Sequence, residues 1–170
     1  METIIFLKTA ELRKNKTELE KKLKVKIIIR GKQIAFESEN SLEEYEARIV
    51  LEAMALGFSA KKALLLKEPE MIFRRINIKD FTRKKNLKEV RARIIGRKGR
   101  TLQIIRNVSN CHIILEKNEI GIIGDAESIE LTLTAITNLI RGTKQSNVYH
   151  YLEKSNKTKK EQSLGLKIKK

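Results

Sequence analysis

The stretch Ile94-Ile95-Gly96-Arg97-Lys98-Gly99-Arg100-Thr101-Leu102 decides the fold of this chain. Two glycines flank two long cationic side chains, and apolar residues at helical spacing precede and follow them. Because glycine has no Cβ, a phosphodiester backbone can lie close against a loop bounded by Gly96 and Gly99. The amides that open the next helix lack intrahelical partners and lie at the positive end of its dipole, where phosphate is favoured. The stretch therefore predicts a helix–GxxG–helix element that grips single-stranded nucleic acid.

The residues around this loop show the periodicities of further strands and helices. The predicted elements are a strand over residues 73–80, a helix carrying Leu87, Val90 and Ile94, a helix carrying Leu102, Ile105 and Val108, strands over 111–115 and 120–124, and a helix over 125–141. Asp125 is placed to cap the last helix and Gly142 to end it. The order β-α-GxxG-α-β-β-α resembles that of a type I KH domain.

The first part of the chain repeats the pattern of the second without the glycine loop. Ile27 and Ile34 match Ile113 and Ile120, each 86 positions on. Residues 1–30 contain no glycine, and only one helix fits between the first two strands of this copy. We therefore predict an α+β fold with two tandem type I KH-like domains, each a three-stranded antiparallel sheet with helices packed on one face. The predicted divisions are a degenerate KH domain with a connecting helix at 1–68, an RNA-binding KH domain at 69–153, and a basic, disordered tail at 154–170.

The positive charge of the chain is concentrated around the loop. The net charge is +16, and residues 74–106 hold 13 lysines and arginines against 2 acids. A solvated basic face is the alternative interpretation, but clustering around one phosphate-binding loop favours contact with a polyanion. Residues 154–170 add 7 lysines against 1 acid.

We expect the RNA backbone to lie on the loop while about four bases face an aliphatic groove. Aromatic residues make up 5% of the chain and none lies between Thr82 and Ile123, so stacking on rings is not the main mode. The candidate RNA-binding residues are Gly96, Arg97, Lys98, Gly99, Arg100, Arg91, Arg93, Ile94, Ile95, Leu102, Ile105, Arg106, Ile113 and Leu115. The backbone near Ile113 is expected to read base edges. Core packing is the alternative role for the isoleucines.

The composition excludes several other classes of function. The GxxG spacing is not that of a P-loop, and no catalytic triad, paired-carboxylate motif or metal-ligand cluster is present, so we expect neither an enzyme nor a cofactor. The single cysteine, Cys111, is expected to be a small core residue. No apolar run approaches about 18 residues and the N-terminus lacks a signal-peptide layout, so we expect a cytoplasmic protein with no membrane partner.

The chain up to about Leu152 resembles the archaeal KH-domain pre-rRNA-processing proteins, whose eukaryotic relative is the ribosome assembly factor partner of Nob-one. The resemblance rests on residues 57–59 with 63–66, 94–101, 120–124, and 135–142 with Val148-Tyr149. It implies binding to single-stranded small-subunit rRNA near the 3′ end during subunit maturation. It also implies two possible protein partners, the endonuclease that trims that end and the alpha subunit of translation initiation factor two. A protein-interaction scaffold or translation regulator that bridges an initiation factor to RNA is the alternative function.

Overall fold

The computed structural model describes residues 1–168. The chain divides into two compact units after Phe73, whereas the sequence analysis places the boundary after Glu68. The helices and strands are β1 (Glu2–Ile5), α1 (Ala10–Leu23), β2 (Lys26–Arg30), β3 (Gln33–Glu37), α2 (Ser41–Leu56), α3 (Ala60–Ala63), β4 (Met71–Asn77), α4 (Leu87–Ile95), α5 (Arg100–Ser109), β5 (His112–Glu116), β6 (Glu119–Asp125), α6 (Ala126–Arg141) and α7 (Gln145–Ile168). Short 3-10 turns follow α3, β4 and α4, at Leu64–Lys67, Ile78–Asp80 and Arg97–Gly99. The α+β class and the KH element order predicted for the second half are confirmed.

The first unit contains a three-stranded antiparallel sheet of order β1-β3-β2. The strands β2 and β3 form a hairpin in which Ile29 lies opposite Ile34, and β1 pairs with the other edge of β3. One helix, α1, connects β1 to this hairpin, and α2 follows it. The apolar residues of these elements form the core of the unit: Phe6, Leu12, Leu19, Leu23, Ile27, Ile34, Phe36, Val50 and Leu51.

The second unit contains a sheet of the same strand order, β4-β6-β5, although the first three residues of β4 precede the boundary after Phe73. The helices α4 and α5 lie between β4 and the β5–β6 hairpin, and α6 follows the hairpin. The Asp125 side chain caps α6 by accepting from the Ser128 amide at 3.0 Å, and the helix ends at Gly142, both as predicted. The core of this unit contains Ile78, Val90, Ile94, Ile105, Ile113, Ile120, Ile122, Ile129, Ile136 and Leu139. Cys111 is also buried, as predicted, with 3% of its surface exposed.

The C-terminal segment differs from the sequence-based expectation. Residues 154–170 are expected to be disordered, but residues 154–168 continue α7, and the last two residues lie outside the described part. The first turns of α7 pack on α5 and α6 through the buried Val148 and Leu152, which are four positions apart. The composition of residues 154–170 predicted disorder because this segment is polar and charged. The packed face of α7 nevertheless continues into the segment with polar side chains.

Two polar residues of that face contact the second unit. The Asn156 amide donates to the carbonyl of Val108, and the Lys159 ammonium lies 3.3 Å from the Asp125 carboxylate. Burial alone raises the pKa of Asp125, but hydrogen bonds from Ser128 and Lys159 outweigh it, so the pKa lies below its usual value. The carboxylate thus caps α6 and holds α7 at once.

Within residues 1–168, no helix has both the length and the apolar character needed to cross a bilayer.

Candidate nucleic-acid interface

The GxxG loop is a tight connection between two helices. The helix α4 ends at Ile95, where the Gly96 amide donates to the Ala92 carbonyl at 2.8 Å. The backbone then runs through Gly96 at φ 75°, Lys98 at φ 53° and Gly99 at φ 74° before α5 begins. Three positive φ angles within four residues turn the chain sharply between the two helices. The predicted helix–GxxG–helix element is therefore present.

Gly96 is required by its surroundings as well as by its backbone angles. With ψ 175°, Gly96 lies in a region that is essentially restricted to glycine. A Cβ at this position would lie 2.0 Å from Thr101 Oγ1 and 2.8 Å from the Thr101 amide nitrogen. Thr101 is itself 3% exposed, and Tyr149 Oη donates to its hydroxyl at 3.0 Å. The loop therefore closes directly onto the first turn of α5.

Gly99 faces open space. A Cβ added there would meet no heavy atom within 4 Å, so only the positive φ angle favours glycine. Gly99 is the cap residue of α5 and provides no side-chain acceptor for the amides that open that helix. The Arg100 amide already donates to the Arg97 carbonyl, so the amides that an anion can approach at the positive end of the α5 dipole are those that follow it.

Three of the predicted cationic residues lie around this opening and have no side-chain partner among the described residues. The side chains of Arg97, Lys98 and Arg100 are exposed and form no hydrogen bond or ion pair with any residue of the described chain. Their pairing with a ligand would break no internal contact. The structure thus brings together the glycines, the helix amides and three available cations.

Three other predicted cationic residues are already engaged inside the unit. Arg91 donates to the side-chain oxygen of Asn118, and Arg93 donates to the Thr143 carbonyl at 2.7 Å. Arg106 donates twice to one carbonyl of β5. Sequence identifies the charges but cannot show which of them are used to satisfy carbonyl groups.

The contact of Arg106 bears on the predicted reading of base edges. Its Nε and Nη2 lie 2.9 and 2.6 Å from the Ile113 carbonyl oxygen. This carbonyl points away from the paired strand β6. Because successive carbonyl groups along a strand point to opposite edges, the Leu115 carbonyl faces the same outer edge as that of Ile113. Partial burial lowers the pKa of the Arg106 guanidinium. The outer edge of β5 is therefore unpaired within its sheet, but Arg106 occupies its Ile113 carbonyl.

The predicted apolar groove is mostly core. The side chains of Ile94, Ile105 and Ile113 are at most 2% exposed. Ile95, at 38% exposed, and the half-buried Leu115 present more surface, whereas Leu102 presents only 7%. These burial values limit the aliphatic surface that a base could contact.

Sequence analysis missed the residues that hold the loop from α7. Besides the contact of Tyr149 with Thr101, Gln145 Nε2 donates to the Arg93 carbonyl at 3.2 Å, near the end of α4. The helix α7 lies outside the KH element order, so periodicity gave no reason to connect it with the loop. The one available signal was the presence of Val148-Tyr149 among the residues that carry the family resemblance.

Comparison with known proteins identifies the fold family. A family model described as a eukaryotic type KH domain, KH-domain type I, and built for the second KH domain of PNO1, matches residues 72–157, about half of the chain. The chain belongs to the PNO1 family. This membership confirms the family that the sequence motifs predicted.

Two curated proteins illustrate the similarity of this chain to known sequences. A KH domain-containing protein of Methanocaldococcus jannaschii is 26% identical over 68% of this chain, and the RNA-binding protein pno1 of Drosophila melanogaster is 35% identical over 57%. These alignments span 52% and 42% of the relatives, so the chain covers about half of their length or less.

Solved structures extend the likeness to the whole fold. The crystal structure of Dim2p from Pyrococcus horikoshii matches with a TM-score of 0.82 and 34% identity, over 90% of this chain and 98% of that one. The a/eIF2alpha–aDim2p–rRNA complex from the same organism matches with a TM-score of 0.83 and 35% identity, over 92% and 94%. The fold described above is therefore similar to that of archaeal Dim2p.

Proposed function

We propose that this chain binds single-stranded small-subunit pre-rRNA near its 3′ end and acts in the cytoplasm in small-subunit maturation. The contact is made by the second unit, with the RNA backbone on residues 96–99. The role is one of binding and involves no catalysis.

The observation that carries this proposal is the GxxG loop with three unengaged cations. Gly99 leaves room for a phosphate, and the first amides of α5 have no side-chain cap. Arg97, Lys98 and Arg100 can each approach a phosphate without losing an internal partner. At about −0.7 per phosphate contact on single-stranded RNA, these three cations predict a log–log salt slope of roughly −2 from the loop alone.

The relatives support the choice of RNA. Their names describe an RNA-binding protein and a pre-rRNA-processing protein, and the Pyrococcus complex contains aDim2p with rRNA. The position near the 3′ end is our extension of that likeness.

For the first unit we propose a KH-like fold that has lost RNA-gripping ability. Its sheet has the same strand order as that of the second unit, but one helix replaces the helix–GxxG–helix element. We accordingly propose a degenerate KH domain with a connecting helix at residues 1–68 and the RNA-binding KH domain at residues 69–153.

A second candidate function is that of a scaffold or translation regulator that bridges an initiation factor to RNA. The observation in its favour is that the Pyrococcus complex also contains a/eIF2alpha. We propose the alpha subunit of initiation factor two as one partner and the endonuclease that trims the rRNA 3′ end as another.

Fluorescence anisotropy tests the RNA proposal. The titration uses a small-subunit rRNA 3′-end oligonucleotide and a scrambled oligonucleotide against the wild type and the Arg97→Asp, Lys98→Asp double variant. Both side chains are exposed, and Asp tolerates the left-handed backbone of Lys98 better than most residues, so the variant keeps its fold. We expect sequence-dependent binding in the wild type and at least a tenfold loss in the variant, since two charge-assisted phosphate contacts are removed.

Equal binding by the two proteins would show that the loop is idle and would favour the scaffold. In that case, removal of residues 1–68 should abolish binding to the initiation-factor subunit while leaving RNA affinity unchanged.

A further inference from the structure

A cavity of about 510 Å³ lies beside the GxxG loop in the second unit. Its lining residues are Arg93, Lys144, Gln145, Ser146 and Tyr149. Arg93 belongs to the last turns of α4, and Tyr149 also contacts Thr101 in the first turn of α5. The wall of the cavity is therefore continuous with both helices that flank the loop.

The lining offers hydrogen-bond donors and positive charge. None of the five residues is acidic, and two are cationic. The Arg93 guanidinium is held on one side, where Nη2 donates to the Thr143 carbonyl. Its Nε is buried and has no hydrogen-bond partner within residues 1–168. Because this Nε is closed off from solvent, Arg93 contributes charge to the cavity wall and not a free Nε donor.

The same cavity receives the start of α7. The Val148 amide donates to the Lys144 carbonyl at 3.3 Å, which makes Lys144 the cap residue of this helix. Lysine has no acceptor in its side chain, and the first turn contains no acidic residue. The opening amides of Gln145 and Ser146 therefore add partial positive charge to a wall that already contains two cations.

We propose that this cavity is a second phosphate-binding subsite for the RNA strand that the GxxG loop holds, an inference that rests on the proposed function. The ammonium of Lys144 and the α7 amides contact a phosphodiester neighbouring the one on the loop, and the Arg93 guanidinium adds positive charge from the cavity wall. The volume lies within the roughly 300–1,000 Å³ of ligand sites, which leaves room for the attached nucleoside against the Tyr149 ring.

A matched pair of acidic substitutions in the full chain tests the subsite. Ser146→Asp places a carboxylate in the cavity wall, where it competes with phosphate for the same donors. Asn147→Asp places the same charge in the same helical turn, on an exposed residue that does not line the cavity. Both acids lie at a helix N-terminus, where negative charge stabilises the helix, so neither should unfold the protein.

We expect Ser146→Asp to weaken binding of the rRNA oligonucleotide about tenfold at low salt, the size of a lost charge-assisted contact. Asn147→Asp should weaken it about twofold through general repulsion. Lys144→Gln should also reduce the log–log salt slope by about 0.7, since one phosphate contact is lost. Equal effects of the two acidic variants would indicate long-range repulsion and overturn the subsite.

The Arg97→Asp, Lys98→Asp double variant separates this proposal from the general one. Loss of binding in the double variant with none in Ser146→Asp would refute only the subsite, whereas no loss in either would refute both. The alternative ligand is free phosphate. Titration with inorganic phosphate, monitored by NMR through the amide resonances of Gln145 and Ser146, tests that alternative. If phosphate shifts these resonances and the oligonucleotide does not, the cavity binds free phosphate and the RNA assignment is wrong.

Discussion

The two glycines of the loop should respond differently to substitution, because one is confined by neighbouring atoms and the other is not. Gly99→Ala introduces a Cβ with nothing within 4 Å, so its cost is the left-handed conformation alone, about 1–2 kcal/mol. Gly96→Ala adds an overlap at 2.0 Å with Thr101 Oγ1 to a conformation that costs about 1–3 kcal/mol. Overpacking adds about 1–3 kcal/mol more, because Tyr149 and burial hold Thr101 in place.

Urea denaturation measures this difference. We expect Gly96→Ala to lower the free energy of unfolding of the second unit by roughly 2 kcal/mol more than Gly99→Ala does. Since the chain has two units, the measurement should report unfolding of the second unit alone. The reactivity of the Cys111 thiol, which is buried in that unit, provides such a signal. Equal losses in the two variants would refute the conclusion that the loop closes onto Thr101.

A third variant separates stability from binding at the same loop. Asn adopts the left-handed region more readily than Ala does, so the free energy of unfolding of Gly99→Asn should lie within about 1 kcal/mol of the wild-type value. Its side chain would nevertheless stand in the open space where the phosphate is proposed to lie. RNA affinity should therefore fall about tenfold while the denaturation midpoint hardly moves, as expected when one charge-assisted phosphate contact is lost. Unchanged affinity would mean that the RNA backbone does not pass over Gly99.

Further predictions concern contacts around α7 and the core. Tyr149→Phe removes the hydrogen bond to Thr101 and should cost about 0.5–1.5 kcal/mol while speeding hydrogen exchange in the loop, as measured by NMR. The lowered pKa of Asp125 means that its carboxylate stabilises the fold above the usual pKa of 3.8, and that this contribution is lost as the pH falls through the lowered value. In Asp125→Asn the melting temperature should therefore fall less steeply below about pH 4 than in the wild type. Lys159→Met should show a smaller change in the same direction. Burial raises the pKa of the Cys111 thiol, so a thiol reagent at neutral pH should label it only after unfolding.

Each of these experiments has a matched control or a contrary outcome. Tyr151→Phe removes a hydroxyl from the same helix and should leave exchange in the loop unchanged. An unchanged acid limb in Asp125→Asn would show that another group controls acid unfolding. Rapid labelling of the native protein would place the thiol at the surface.

Sequence predicted the parts of this structure that depend on neighbours along the chain. The cap of α6 by Asp125, its end at Gly142 and the helices on both sides of the GxxG loop all follow from local spacing. Their physical causes lie within a few residues, so a single sequence contains the whole signal.

The parts that sequence could not predict depend on groups brought together in space. The middle of α7 is held by contacts of Asn156 and Lys159 with Val108 and Asp125, and in the sequence such polar residues resemble a disordered tail. Likewise, Arg93 donates to the Thr143 carbonyl, which is distant in sequence, and Arg106 donates to the Ile113 carbonyl beyond the turn that follows α5. The division between available and engaged cations is therefore a property of the fold, and charge counting cannot supply it.

The attachment of α7 to the loop limits how this domain can be reused in chimeric proteins. A graft that ended at Gly142 would include the complete β-α-α-β-β-α module and the GxxG sequence, but would omit Gln145 and Tyr149. The transplanted glycines would then lack the two contacts that link the flanking helices to α7. A portable unit that keeps the loop's contacts is therefore longer than the KH module itself and includes the first turns of its C-terminal helix.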